Sequence, residues 1–148
     1  MADLYEVLLV DDGQRWHAGW LVDDETETDV LLSSKGKVLL FDSRPSLEHW
    51  AQEHGLDVQA DLPDEIDLDL GGWLSKGDPR PSTAEVSELW HLLVDDPVAG
   101  RPLAGEEVGE AYDDLVEEVP DWFDQHGALA RRALSDAVRR LRGVLRHV

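Results

Sequence analysis

The sequence predicts an α+β fold: an N-terminal antiparallel β-meander with one helix, followed by a three-helix C-terminal half. Three observations carry this expectation. The first forty residues hold four short apolar runs separated by turn sequences. A capped amphipathic segment follows from about residue 44. Beyond residue 82, apolar residues recur with the 3.6-residue period of helices rather than the two-residue period of strands.

Leu4 to Val10 is the first strand, closed by the turn sequence Asp11-Asp12-Gly13. Trp16 to Val22 is the second, with Trp16, Ala18, Trp20 and Val22 alternating onto one face. Asp23-Asp24-Glu25-Thr26-Glu27 is a polar connection. Val30 to Leu32 and Val38 to Phe41 then flank Ser33-Ser34-Lys35-Gly36-Lys37, a hairpin in which Gly36 supplies positive φ. Asp42 or Ser43 caps the first helix and Pro45 suits its first turn. Leu47, Trp50, Ala51 and His54 share a face, and Gly55 ends it.

Residues 61–81 read as an irregular acidic loop with room for one short strand or turn, because Gly71-Gly72, Gly77, Pro79 and Pro81 interrupt any period. It joins an α/β half (1–60) to a helical half (82–148). Each half alone is small, so the expectation is one domain over residues 1–148.

Ser82 and Glu85 have capping-box spacing, and Val86, Leu89, Trp90, Leu93 and Val94 form the stripe behind them. Asp95-Asp96-Pro97 stops that helix. The next starts near Gly105, with Val108, Ala111, Tyr112, Leu115 and Val119 on one side. Glu106, Glu107, Glu110, Asp113, Asp114, Glu117 and Glu118 crowd the other. After Pro120 a long last helix is expected, its apolar stripe running from Ala130 to Val148. Arg131, Arg132, Arg139, Arg142 and Arg146 lie opposite, as a solvated face or paired with the acidic helix.

Charge is the strongest compositional signal. The net charge is −20, and residues 1–120 hold 30 acidic against 7 basic residues, or −23. Residues 121–148 hold 3 acidic and 6 basic, or +3. A −23 segment repels phosphate backbones and anionic lipid, so neither direct nucleic-acid contact nor membrane binding is expected. It attracts a cationic protein from a distance. Acidity that serves only solubility is the plainer reading of the same charge.

There is no cysteine, which removes disulfides, thiolate metal sites and cysteine nucleophiles and fits a reducing cytoplasm. No apolar run approaches the roughly 20 residues of a membrane span, and acids stand where a signal peptide needs basic residues. A cytoplasmic location is therefore expected. Only three lysines among many Ala, Arg, Asp, Gly and Val residues suggests a GC-rich bacterial source.

Catalytic motifs are weak. Val7-Leu8-Leu9-Val10-Asp11-Asp12 resembles the first strand of a response-regulator receiver, but Gly13 and a second strand stand where a receiver needs a helix. Residues 67–78 echo a calcium loop, with Gly71 where an oxygen ligand belongs and Asp78 in place of the bidentate Glu. His49 and His54 lie about 140° apart on a helix, unlike the one-face pair of a zinc protease. With 33 acids, close carboxylate pairs arise by chance. No enzyme activity, metal or cofactor is expected.

The chosen partner-binding residues are Asp64, Glu65, Asp67, Asp69, Trp73, Glu106, Glu107, Glu110, Asp113, Asp114, Glu117, Glu118, Asp121 and Trp122. An aromatic ringed by carboxylates suits a desolvated contact with a basic surface. Alternatively, Trp122 and Phe123 staple a turn onto the core.

Residues 82–122 also carry a resemblance. Leu89-Trp90-His91-Leu92-Leu93, then Asp95-Asp96, then Tyr112-Asp113-Asp114-Leu115, resembles a pattern in bacterial toxin-immunity proteins of the contact-dependent-inhibition and polymorphic-toxin type. There a tryptophan-bearing helix and a later Tyr-Asp helix follow a small β-rich part. The likeness spans about a quarter of the chain, with His91 where a polar amide often stands. It implies a small acidic inhibitor that covers a basic toxin domain, often a nuclease. The rival expectations are an acidic accessory or scaffold protein and a small metal-dependent hydrolase using the 61–69 carboxylates.

Overall fold

A computed structural model describes residues 2–26 and 28–148; Met1 and Glu27, the latter in the expected polar connection, lie outside the described residues. The fold is α+β. The chain divides into two compact units, residues 1–68 with 144–148, and residues 69–143.

The first unit is built on a hairpin. β1 (Ala2–Asp11) and β2 (Gln14–Asp23) pair antiparallel in one unbroken register, Leu4 opposite Leu21 and Asp11 opposite Gln14. Asp12 and Gly13 both take positive φ, 55° and 78°, the two-residue turn whose twist matches that of the strands. β3 (Thr28–Leu31) pairs with the far half of β2, and β4 (Ser33–Ser34) forms a second hairpin with β5 (Lys37–Phe41). β5 then joins the near half of β2, Phe41 opposite His17.

Helix α1 (Arg44–Glu53) is capped by the Ser43 hydroxyl, which accepts from the Ser46 amide, and has Pro45 in its first turn. It buries Leu47 and Ala51 on Leu4, Leu32, Leu39 and Phe41, the α1-covered face of the sheet. Gly19 has no room for a side chain there: a Cβ would fall 2.8 Å from Leu32 Cβ and 2.9 Å from a Leu4 methyl. Val7, Leu9, Ala18 and Leu40 alternate onto the opposite face and are buried too. Apolar residues on both faces explain why β1 reads as a nearly continuous apolar run.

Two strands depart from the expected meander. β6 (Asp64–Asp67) pairs parallel to β1, and β7 (Leu145–His147) pairs parallel to β5. The strand path is β4-β5-β2-β1-β6, with β3 on β2 and β7 on β5. The expected helix to Val148 is corrected accordingly. Helix α5 (Trp122–Arg142) stops at Gly143, and the Val38 amide donates to the Val144 carbonyl as the last strand forms. Glycine weakens the helix at that point, while the edge of β5 offers the backbone partners.

The second unit is helical. The stretch expected to be irregular contains a 3-10 turn at Leu70–Gly72 and the short helix α2 (Trp73–Lys76). α3 (Thr83–Val94) opens with the expected reciprocal capping box between Ser82 and Glu85. It buries Val86, Leu89, Trp90 and Leu93. The Asp96 carboxylate accepts from the Val98 and Ala99 amides at 2.9 and 2.8 Å, which folds the chain off the helix end. α4 (Glu106–Val116) and α5 complete the unit, with Val108, Ala111, Leu115, Trp122, Ala130, Leu134 and Leu141 buried.

Candidate partner-binding surface

Val108, Ala111 and Leu115 follow helical spacing, so they fix which side of α4 is buried. The opposite side then carries Glu106, Glu107, Glu110, Asp113, Asp114 and the capping Glu117, which at 100° per residue span an arc of about 120°. The helix expected to run on to Val119 stops at Val116, so Glu118, with φ of 56°, lies just beyond its end. All but Asp114 are exposed. Asp114 is drawn inward, its carboxylate 2.7 Å from His126 Nε2 of α5. The Trp122 indole donates to the Ala111 carbonyl at 2.8 Å, a second tie between the two helices. These ties fix α4 with its acids outward.

Such an arc costs helix stability. Carboxylates three and four residues apart repel by a few tenths of a kcal/mol per pair. Glu106 and Glu107 sit at the N-terminus, where the helix dipole favours them, but Glu117 and Glu118 sit at the C-terminus, where it opposes them. Among the described residues, the side chains of Glu106, Glu107, Glu110, Asp113, Glu117 and Glu118 have no ion-pair partner. The α5 arginines do not neutralise them: Arg139 pairs with Asp136 at 3.0 Å and Arg131 donates to the Trp73 carbonyl. Arg146 lies in β7, not on a helix.

The other partner-binding candidates are divided between the two units. Asp64, Glu65 and Asp67 lie on β6 in the first unit, with Glu65 3.2 Å from Arg15. Asp69, in the second unit, accepts from the Ser75 amide and hydroxyl at 2.8 and 2.6 Å. It braces α2 and does not line a calcium loop. Asp121 is exposed at the start of α5, with φ of 59°.

Trp73 and Trp122 are corrected as surface anchors. They are 6% and 3% exposed, and both rings pack edge-on to Phe123. Trp122 fills the stapling role with Phe123, and Trp73 is buried against the same ring, because a large apolar ring gains most by leaving water. Trp90 and Tyr112, from the pattern read as immunity-like, also meet ring to ring at 5.3 Å inside the unit. An apolar side chain that does stand out among acids is Leu62, 94% exposed between Asp61 and Asp64.

Sequence reasoning missed a polar cluster beneath α1. Glu6, on β1, is only 7% exposed. Its carboxylate meets His17 Nδ1 at 2.5 Å and accepts from Arg44 Nη1 at 3.3 Å. Arg44 also donates to Glu48 at 2.7 Å and to the Gln59 carbonyl at 2.9 Å. The Glu48 bond, then Glu6, hold the guanidinium pKa above its ordinary value against partial burial. An acid inside the apolar run Leu4 to Val10 was the visible signal.

Among the described residues, no three His, Asp or Glu side chains converge as metal ligands would, and no helix is long and apolar enough to cross a membrane.

No protein-family model matches the chain, and no curated protein matches it. The structure is similar to the crystal structure of the SatS C-terminal domain in complex with bromine, with a TM-score of 0.58 and 15% identity. The match covers 99% of this chain and 94% of that one. At that identity the likeness shows the shared fold alone.

Proposed function

We propose that this chain is a non-catalytic cytoplasmic inhibitor that binds a basic toxin domain, a nuclease in the immunity-type reading, and covers its active site. The observation that carries the proposal is the exposed arc of carboxylates on α4, which, Asp114 apart, has no cationic partner among the described residues and lies in part where the helix dipole opposes it. On binding, those carboxylates take the positions that substrate phosphates otherwise occupy on the basic partner. The strong overall negative charge speeds encounter, and the burial of Trp73 and Trp122 leaves electrostatics, not an aromatic anchor, as the main source of recognition.

The test is to express the chain with the product of the adjacent gene. Toxicity and association rate are then measured for the native chain and for a variant with Glu107, Glu110, Asp113 and Glu117 changed to Gln or Asn. Neutralisation should be lost or weakened in the variant. The native on-rate should fall about tenfold or more from low to high ionic strength. An on-rate indifferent to salt and to these changes refutes the proposal.

The burial of both tryptophans favours a second reading, an acidic accessory protein whose charge only solvates it. In that case the α4 variant behaves as the native chain in every binding assay.

A further inference from the structure

The second unit of this acidic chain contains a basic cleft apart from the α4 arc. On α5, Phe123, Gly127 and Arg131 recur every four residues and so share a face. Gly127 contributes no side chain, which leaves a recess between the ring and the guanidinium. Arg80 closes one side, its guanidinium 4.8 Å from the centre of the Phe123 ring. The recess is about 220 Å³ and is also lined by Trp73 and Gly77.

Both arginines are held with donors to spare. Arg131 uses Nε on the Trp73 carbonyl at 2.7 Å, and its guanidinium lies 3.4 Å from where a Gly77 Cβ would stand. Gly77 is in the left-handed region at φ 81°, so glycine closes α2 there. No other hydrogen bond or ion pair holds the Arg131 side chain among the described residues. Arg80 has a loose, exposed contact with Asp124 at 3.8 Å.

Gly127 is a separate pointer to a ligand. It is buried in mid-helix, where glycine is unfavourable, yet a Cβ there would make only ordinary contacts, 3.6 and 3.7 Å from Phe123. Packing does not require glycine at this position. Keeping the recess open does.

We propose that this cleft binds a phosphoryl group of a small molecule between the guanidinium groups of Arg80 and Arg131. Guanidinium forks match oxyanions, and two forks from different elements need more acceptors than the two oxygens of a carboxylate. A phosphoryl group presents three oxygens and a larger charge. Random accumulation of phosphate on a chain of net charge −20 is opposed by the field of the whole molecule, so saturable binding reports on the cleft.

The experiment is a titration of the full chain with inorganic phosphate, and with acetate in parallel, at constant ionic strength, followed by amide, arginine and indole NMR signals. Phosphate should give saturable shifts at Gly77, Arg80, Gly127, Arg131 and the Trp73 indole, with acetate binding more weakly. Arg80→Ala removes an exposed side chain and should weaken phosphate binding about tenfold. Gly127→Ala keeps both arginines, fills the floor and should weaken it comparably while the fold is retained. Diffuse, unsaturable shifts, or native affinity in both variants, overturn the proposal. Acetate binding as tightly as phosphate overturns the phosphoryl assignment.

Discussion

The two compact units handle negative charge in opposite ways. The sheet unit, with 17 acidic against 5 basic residues, or −12, takes the Glu6 carboxylate out of water and surrounds it with His17 and Arg44. The helical unit, with 16 acidic against 8 basic, or −8, buries Asp96 on backbone amides. Asp114 apart, it leaves the α4 acids in solvent with no ion-pair partner among the described residues. A carboxylate removed from water must be met by a cation or by several donors, whereas one left in water needs neither. The first arrangement therefore serves the fold. The second, beyond the dipole-favoured Glu106 and Glu107, does not stabilise it and is available for recognition.

The contrast is broken most severely by Arg44→Ala, which leaves Glu6 buried with His17 alone. Urea unfolding should show a loss of about 3–5 kcal/mol, and a loss under 1 kcal/mol would mean that Glu6 does not depend on Arg44. Arg44→Ala combined with Glu6→Leu should recover most of it. Because the Arg44 pKa is raised in the fold, its contribution is complete below the unfolded arginine value and is lost as pH rises from that value through the folded one. Substitution is therefore the practical probe at neutral pH.

In the helical unit, Trp122→Phe keeps an aromatic ring but loses the indole bond to the Ala111 carbonyl and part of the buried volume. About 1–2 kcal/mol should be lost in the same assay. Gly127→Ala should instead stabilise by up to about 1 kcal/mol, seen as a raised melting temperature. A loss of stability there would show that the recess is needed for packing. The smallest effect is expected for Glu117→Gln with Glu118→Gln, a gain of a few tenths of a kcal/mol from relief of the helix dipole. If that pair destabilises, the α4 acids are structural after all and the contrast between the units dissolves.

Several features were legible because they depend on neighbours in sequence. The Asp12-Gly13 turn, the Ser43 and Ser82 caps and the buried stripe of α3 each follow from local backbone chemistry. The outward acids of α4 were legible too, since three apolar residues at helical spacing leave the rest facing out. Trp73 and Trp122 were not, because a tryptophan beside carboxylates has the same local signature exposed or buried. Glu6 was passed over because its partners lie 11 and 38 residues away.

By itself, then, the chain's sequence determined the α+β class, the order of the main elements and the side of α4 that carries charge, all of which follow from periodicity and capping. Tertiary structure alone decided that residues 64–67 and 145–147 become strands and that Arg80 and Arg131 frame one recess. Strand pairing satisfies a segment's backbone groups with a distant partner, and no local pattern records where that partner will be.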